Sequence, residues 1–263
     1  MTRAGLSSFM ILVLLSAPGC CTLRRSYQTP STASLVAGLK MDPPKTLRAR
    51  AKVDQWTPKG RIKVRVYLLA SGEGQLRFEA VSPFDTPLLT LASSGGRFTS
   101  IDHKNNVFYT GPAKPCNIAR VFGLALEPRE VARALSGGAP LIEHSEALSR
   151  WDRCKGAEEV ILKGKGGLIQ RVWLSRKEGL FRVDRSEVKD SKGKILLSLS
   201  FERHRLHGGR WVPEVVKFEQ PSRKSDVIIR YQKVELDVEI PSDAYRLSPP
   251  AGLPEQEMDC DDE

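Results

Sequence analysis

The sequence predicts a mainly β protein of the α+β class. A curved antiparallel sheet of about eleven strands should form an incomplete barrel, with short helices plugging its concave face. Three observations predict this. Apolar and charged residues alternate with a period of two over most of the chain, which is the pattern of antiparallel strands wet on one face. Gly-, Pro- and Asp-containing turns separate these runs at regular intervals. The period changes once, after Pro115, where two helical runs interrupt the strands. A sheet this long must bury its apolar face, and so few helices cannot build a full second layer, so the sheet must curl around them.

The 263 residues allow one large domain or two small ones, and 27% charged with 40% hydrophobic residues is the balance of a globular chain. The formal net charge of +10 favours anionic partners. Lys and Arg alternating along solvated strand faces would give the same excess.

Residues 1–19 read as a signal peptide: Arg3 is the basic start, residues 9–15 are an unbroken apolar run, and residues 16–19 are a small-residue cleavage region. The run is too short to span a bilayer. An exported chain rarely meets nucleic acid, so anionic lipid or polyanionic glycolipid is the expected anionic partner. Cys20 follows Gly19 directly, as in bacterial lipoprotein signals, and is the expected acyl acceptor, with Cys21 as fallback. Two or more acyl chains would anchor the chain stably. Ala17-Pro18-Gly19 also suits an ordinary signal peptidase, which would leave the protein unanchored.

Residues 20–44 form a tether and a short helix at 31–40, where Ser31 or Thr32 can cap and Leu35, Val36 and Leu39 share a face. Pro43-Pro44 ends it. The main domain covers residues 45–250. Leu47, Ala49, Ala51 and Val53 alternate with charged residues, as do Ile62, Val64, Val66 and Leu68, then Leu76, Phe78 and Ala80. Further strands are expected at 88–92, 97–102 and 106–110.

Between the strands ending at Val81 and starting at Leu88 lies Ser82-Pro83-Phe84-Asp85-Thr86-Pro87. Two prolines stiffen this loop and deny pairing. Phe84 at its tip either folds back to close the core or is presented to a lipid or an apolar partner.

Residues 117–124 and 128–135 read as short helices, the first with Ile118, Val121 and Phe122 on one face and the second with Val131, Ala134 and Leu135. Gly137-Gly138 stops the second. Strands resume at 159–163, 168–175, 180–188, 195–204, 210–220 and 226–236. Residues 251–263 are an acidic tail, expected to be disordered.

With Cys20 and Cys21 in the anchor region, Cys116 and Cys154 are the natural disulfide pair of an oxidising compartment, leaving Cys260 free. No catalytic constellation stands out. His204 and His207 lack the further ligands a zinc site needs. The serines lack a nucleophile elbow, and there is no phosphate loop. The chain is therefore read as a non-enzyme without metal or cofactor. The small inward residues Ala49, Ala51 and Ala80 leave room beside Leu76 and Phe78. The expected lining of an acyl-chain cavity is Ala49, Ala51, Val64, Val66, Leu76, Phe78, Val121 and Phe122. The other reading is a solid core.

Several stretches in order resemble the LolA/LolB superfamily of bacterial lipoprotein carriers and receptors. They are residues 77–86, with the loop Ser82-Pro83-Phe84-Asp85; Asn106-Val107-Phe108-Tyr109-Thr110-Gly111; Phe122-Gly123-Leu124; residues 131–137; and residues 240–250. Asp85 stands where LolB-type loops usually have Gly. The resemblance implies an incomplete barrel closed by helices that binds the acyl chains of lipoproteins. Cys20 puts the chain on the LolB-like side: an outer-membrane lipoprotein facing the periplasm, receiving cargo from a periplasmic carrier and inserting it. Pro83 and Phe84 match the protruding membrane-insertion loop. The implied partners are acylated lipoprotein cargo, the carrier and membrane lipid, with the protein a monomer. The alternative is an interaction lipoprotein of the envelope with the same fold and no such cargo.

Overall fold

The computed structural model describes residues 21–58 and 60–260, the side chain of Phe122 excepted. The signal peptide and Cys20 therefore lie outside the described residues, as do residues 261–263.

The first element among the described residues is α1 (Thr32–Leu39). Six strands follow: β1 (Thr46–Thr57), β2 (Gly60–Ser71), β3 (Leu76–Val81), β4 (Pro87–Ser94), β5 (Arg97–Asp102) and β6 (Val107–Pro112). Two helices come next, α2 (Pro115–Phe122) and α3 (Pro128–Leu135). Then come β7 (His144–Asp152), β8 (Ala157–Gly164), β9 (Ile169–Lys177), β10 (Leu180–Lys189), β11 (Ile195–His207), β12 (Arg210–Gln220), β13 (Ser225–Leu236) and β14 (Glu255–Glu257).

The fourteen strands of the described residues lie in one sheet, in the order β14-β6-β5-β4-β3-β2-β1-β13-β12-β11-β10-β9-β8-β7. The first leg meanders out from β1 to β6. The chain then crosses through α2 and α3 to the far edge and meanders back from β7 to β13, which pairs with β1. The sheet does not close: β7 and β14 are its edges.

Register follows the alternation. Val53 lies opposite Val64 and Ile229, Ala51 opposite Val66, and Leu68 opposite Phe78. Most of these side chains are buried with those of α3, while Arg50, Lys52 and Lys63 on the other parity are exposed. Pro128 starts α3, and a capping box between Glu127 and Glu130 satisfies its first turn. Val131, Ala132, Ala134 and Leu135 then pack onto the concave face. Gly123 ends α2 at φ +77, where a Cβ would strike the Gln55 side chain at 1.9 Å.

Because neighbouring strands are antiparallel, their turns alternate between two rims. One rim carries the β1–β2, β3–β4, β10–β11 and β12–β13 turns. The other carries the β2–β3, β7–β8, β9–β10 and β11–β12 turns.

The fold differs from the sequence reading in three places. First, β7 and β14 are not predicted. Along β7 no residue is fully buried, so its sequence HSEALSRWD carries no alternation to read. Second, residues 251–260 are not a disordered tail. β14 adds in parallel to β6, Met258 packs against the core, and its backbone carbonyl sits 2.2 Å from where a Cβ on Gly111 would stand. Third, Cys116 and Cys154 do not pair. Cys21 bonds Cys154 with a Cα separation of 4.5 Å, and Cys116 bonds Cys260 at 5.9 Å. The amino-terminal segment folds back on the β7–β8 turn, where the Leu23 amide donates to the Arg153 carbonyl at 3.1 Å. The carboxyl-terminal segment brings Cys260 to the start of α2. Cys21 is thus consumed by a disulfide and is not a fallback acyl acceptor, and Cys260 is not free.

Candidate functional site

The β3–β4 loop holds its shape by local bonds. The Ser82 amide donates to the Thr86 carbonyl at 2.8 Å, and the Ser82 hydroxyl accepts from the Phe84 and Thr86 amides, each at 3.2 Å. Asp85 takes φ +61, the left-handed region that favours Gly and tolerates Asp. That explains the departure from the Gly of LolB-type loops. The Asp85 carboxylate pairs with Arg65 at 3.1 Å, and Arg65 also donates to the Pro83 carbonyl at 3.0 Å. Between Pro83 and Asp85 the Phe84 side chain is 91% exposed. The core-closing alternative for Phe84 is therefore excluded. Trp56, Ile62 and Leu88, all on this rim, are also exposed.

Ala49, Ala51, Val66, Leu76 and Phe78 are buried in the core, and Val64 and Val121 pack against it half-buried. The Phe122 side chain lies outside the described residues. Helices α2 and α3 occupy the space that the small inward residues leave.

A separate pocket of about 350 Å³ opens on the opposite rim. It is lined by Leu35 and Leu39 of α1, Arg133 of α3, Gly137, Phe181 and Val183 of β10, Trp211 of β12 and Leu236 of β13. These residues are scattered over the sequence, and no local signal groups them. The volume falls at the lower end of small-molecule sites, about 300–1,000 Å³. Four charged residues line it: Asp42, Arg133, Arg182 and Arg210. Arg133 is half-buried and donates to the Leu39 carbonyl at 2.8 Å. Burial, with the nearby Arg129, lowers its pKa from the ordinary guanidinium value. The Trp211 indole Nε1 is buried with no hydrogen-bond partner.

Three of the four histidines make hydrogen bonds within the fold. His204 Nε2 lies 3.1 Å from the Val183 carbonyl, His103 Nε2 3.0 Å from the Thr90 hydroxyl, and His144 Nδ1 3.0 Å from the Ile142 carbonyl. Burial and the nearby Arg182 push the His204 pKa down to about 4, so its ring is neutral at pH 7 and donates to that carbonyl. Among the described residues, no cluster of His, Cys, Asp and Glu could hold a metal ion, and no helix is long and apolar enough to cross a membrane.

No family model matches the chain, and no curated protein does. Solved structures do. A LolA superfamily protein from Nitrosomonas europaea superposes with a TM-score of 0.56 over 83% of this chain and 99% of that one, at 13% identity. The chain has the LolA-like fold. A DUF1329 family protein from Desulfovibrio piger superposes with a TM-score of 0.54 over 82% of this chain and 94% of that one, at 14% identity. The shared architecture is the curved sheet with short helices on its concave face; the identities carry the fold alone.

Proposed function

We propose that the protein binds acyl chains of lipoproteins in the Arg133 pocket and delivers them to a membrane, without covalent catalysis. The observation that carries this is the pocket itself: largely apolar walls, a rim opening and two half-buried cations, Arg133 and Arg182. Each methylene buried there contributes about 0.8 kcal/mol, so a short stretch of chain suffices for binding that is still reversible. An ester or amide carbonyl on the ligand would satisfy Trp211 Nε1, and Arg133 would hold an anionic or carbonyl head. The LolA-like fold and the LolB-like loop support the lipoprotein reading, with a periplasmic carrier as the source of cargo.

In this reading the protein is an outer-membrane lipoprotein anchored through Cys20 and facing the periplasm. The Cys21–Cys154 disulfide places the residue next to that acceptor on the β7–β8 turn, on the same rim as the pocket. An anchor there would hold the pocket mouth toward its membrane. Phe84, on the other rim, is assigned contact with lipid.

The test is native mass spectrometry of the gently purified full chain. Acylated species should co-purify with the wild type. They should be absent from Gly38→Trp, whose added side chain grows from a pocket-lining helix position where a Cβ meets nothing within 4 Å. A clean unliganded mass for the wild type would overturn the proposal. It would favour the second reading, an interaction lipoprotein without cargo, which has its own observation: α2 and α3 fill the concave face.

A further inference from the structure

Beside the Phe84 loop, on the outer face of the sheet, lies a shallow groove of about 440 Å³. Its floor is Val81 and Pro83, and its sides are Lys52, Lys63, Arg65 and Arg230. The register explains why cations meet there: Lys52 lies opposite both Arg65 and Arg230 across β2, β1 and β13. Two carboxylates are nearby, and each is already matched. Asp54 pairs with Arg61 at 2.6 Å and Lys63 at 3.9 Å, and Asp85 pairs with Arg65 at 3.1 Å. Among the described residues, Lys52 and Arg230 have no ion-pair partner, and both are exposed. Cations placed side by side repel one another; Asp54, already bonded to Arg61, is the carboxylate that also attracts Arg230.

We infer that this rim is a docking surface for an anionic phospholipid bilayer, with Lys52 and Arg230 binding head-group phosphates while Phe84 enters the apolar layer beside them. The inference rests on the lipid contact assigned to Phe84 above and adds the lipid class. Charge complementarity selects the occupant: an unpaired Arg and Lys fit phosphate oxygens. The exposed Phe one loop away has no use for a soluble anion. The arrangement also fixes direction. Cys21 is tied to the opposite rim, so the groove addresses lipid at the end of the sheet away from the tether.

The test is flotation of the full chain carrying Cys20→Ser, so that no acyl anchor contributes, with vesicles of phosphatidylcholine alone or mixed with phosphatidylglycerol. The chain should prefer the anionic vesicles, and added salt should weaken that preference. Lys52→Gln/Arg230→Gln should lose about fivefold in affinity per cation on anionic vesicles and nothing on neutral ones. Phe84→Ser should lose about ten- to a hundredfold on both. If the doubly neutralised chain binds anionic vesicles like its parent, the groove assignment is wrong, whatever Phe84→Ser does. If only the Phe84 variant is silent, the groove stands and the insertion role assigned to Phe84 fails. Tight binding to heparin without preference for anionic vesicles would overturn the lipid assignment.

Discussion

The two rims of the sheet solve opposite problems. The rim with the pocket is fastened. Cys21 is bonded to Cys154, Arg25 pairs with the 1%-exposed Glu158 at 2.6 Å, and the Trp151 indole donates to the Leu23 carbonyl at 2.8 Å. Among the described residues, the Phe84 loop has no such clamp. It is held by its own Ser82 hydroxyl and by Arg65, and its largest side chain touches water. The difference separates stability from presentation. Segments whose loss would expose the edge strand or orphan a buried carboxylate are tied down, and the segment for which lipid contact is proposed is stiffened locally and otherwise left alone.

The contrast can be broken most sharply at Glu158. Arg25→Ala leaves a buried carboxylate without its cation and should cost about 3–5 kcal/mol in chemical denaturation. A cost below about 1 kcal/mol would mean the fastened rim is not a stability element. Next in size, Cys154→Ser opens a link across a sequence separation of 133 residues and should cost about 2–4 kcal/mol. Reducing agent should then change the mutant less than the wild type, because only the Cys116–Cys260 bond remains to be reduced.

A smaller, pH-dependent effect belongs to the same rim. The His204 pKa is about 4 in the folded protein against an ordinary value of 6.5, so between these values the unfolded chain binds the extra proton. Its stabilising contribution is complete above pH 6.5 and is lost as the pH falls toward 4, by about 2–3 kcal/mol. His204→Gln should flatten that part of the stability-versus-pH curve relative to the wild type; parallel curves would refute the assignment. The smallest stability effect should come from the other rim. Phe84→Glu should shift unfolding by no more than about 0.5 kcal/mol, because an exposed tip makes few core contacts. A loss of several kcal/mol would erase the contrast.

Much of this was readable from residues alone. Alternation from Leu47 to Ala80 named the strands and their buried parity, because period-two patterning is local and each residue's face follows from its neighbours. Pro128 and Gly137 bounded α3 for the same reason, and the two prolines around Phe84 marked an unusual loop. What failed were the statements that paired, or left unpaired, particular distant segments. The pairing of Cys116 with Cys154 was chosen by elimination, while the real partners follow from where the two ends of the chain fold back. β7 was invisible because an edge strand with no fully buried residue need not alternate, and β14 because its pairing to β6 is made by backbone groups that any sequence carries.

The sequence by itself determined a curved antiparallel sheet, its helical interruption, and an apolar residue on a stiff loop, since these depend on side chains within a few positions of one another. Only the tertiary structure decided that Phe84 is exposed, that the concave core is filled, and that the pocket and the cationic groove lie on opposite rims. Those facts depend on which strands become neighbours. Lys52 and Arg230 are 178 residues apart in sequence and adjacent across a ladder, and no local pattern encodes that distance.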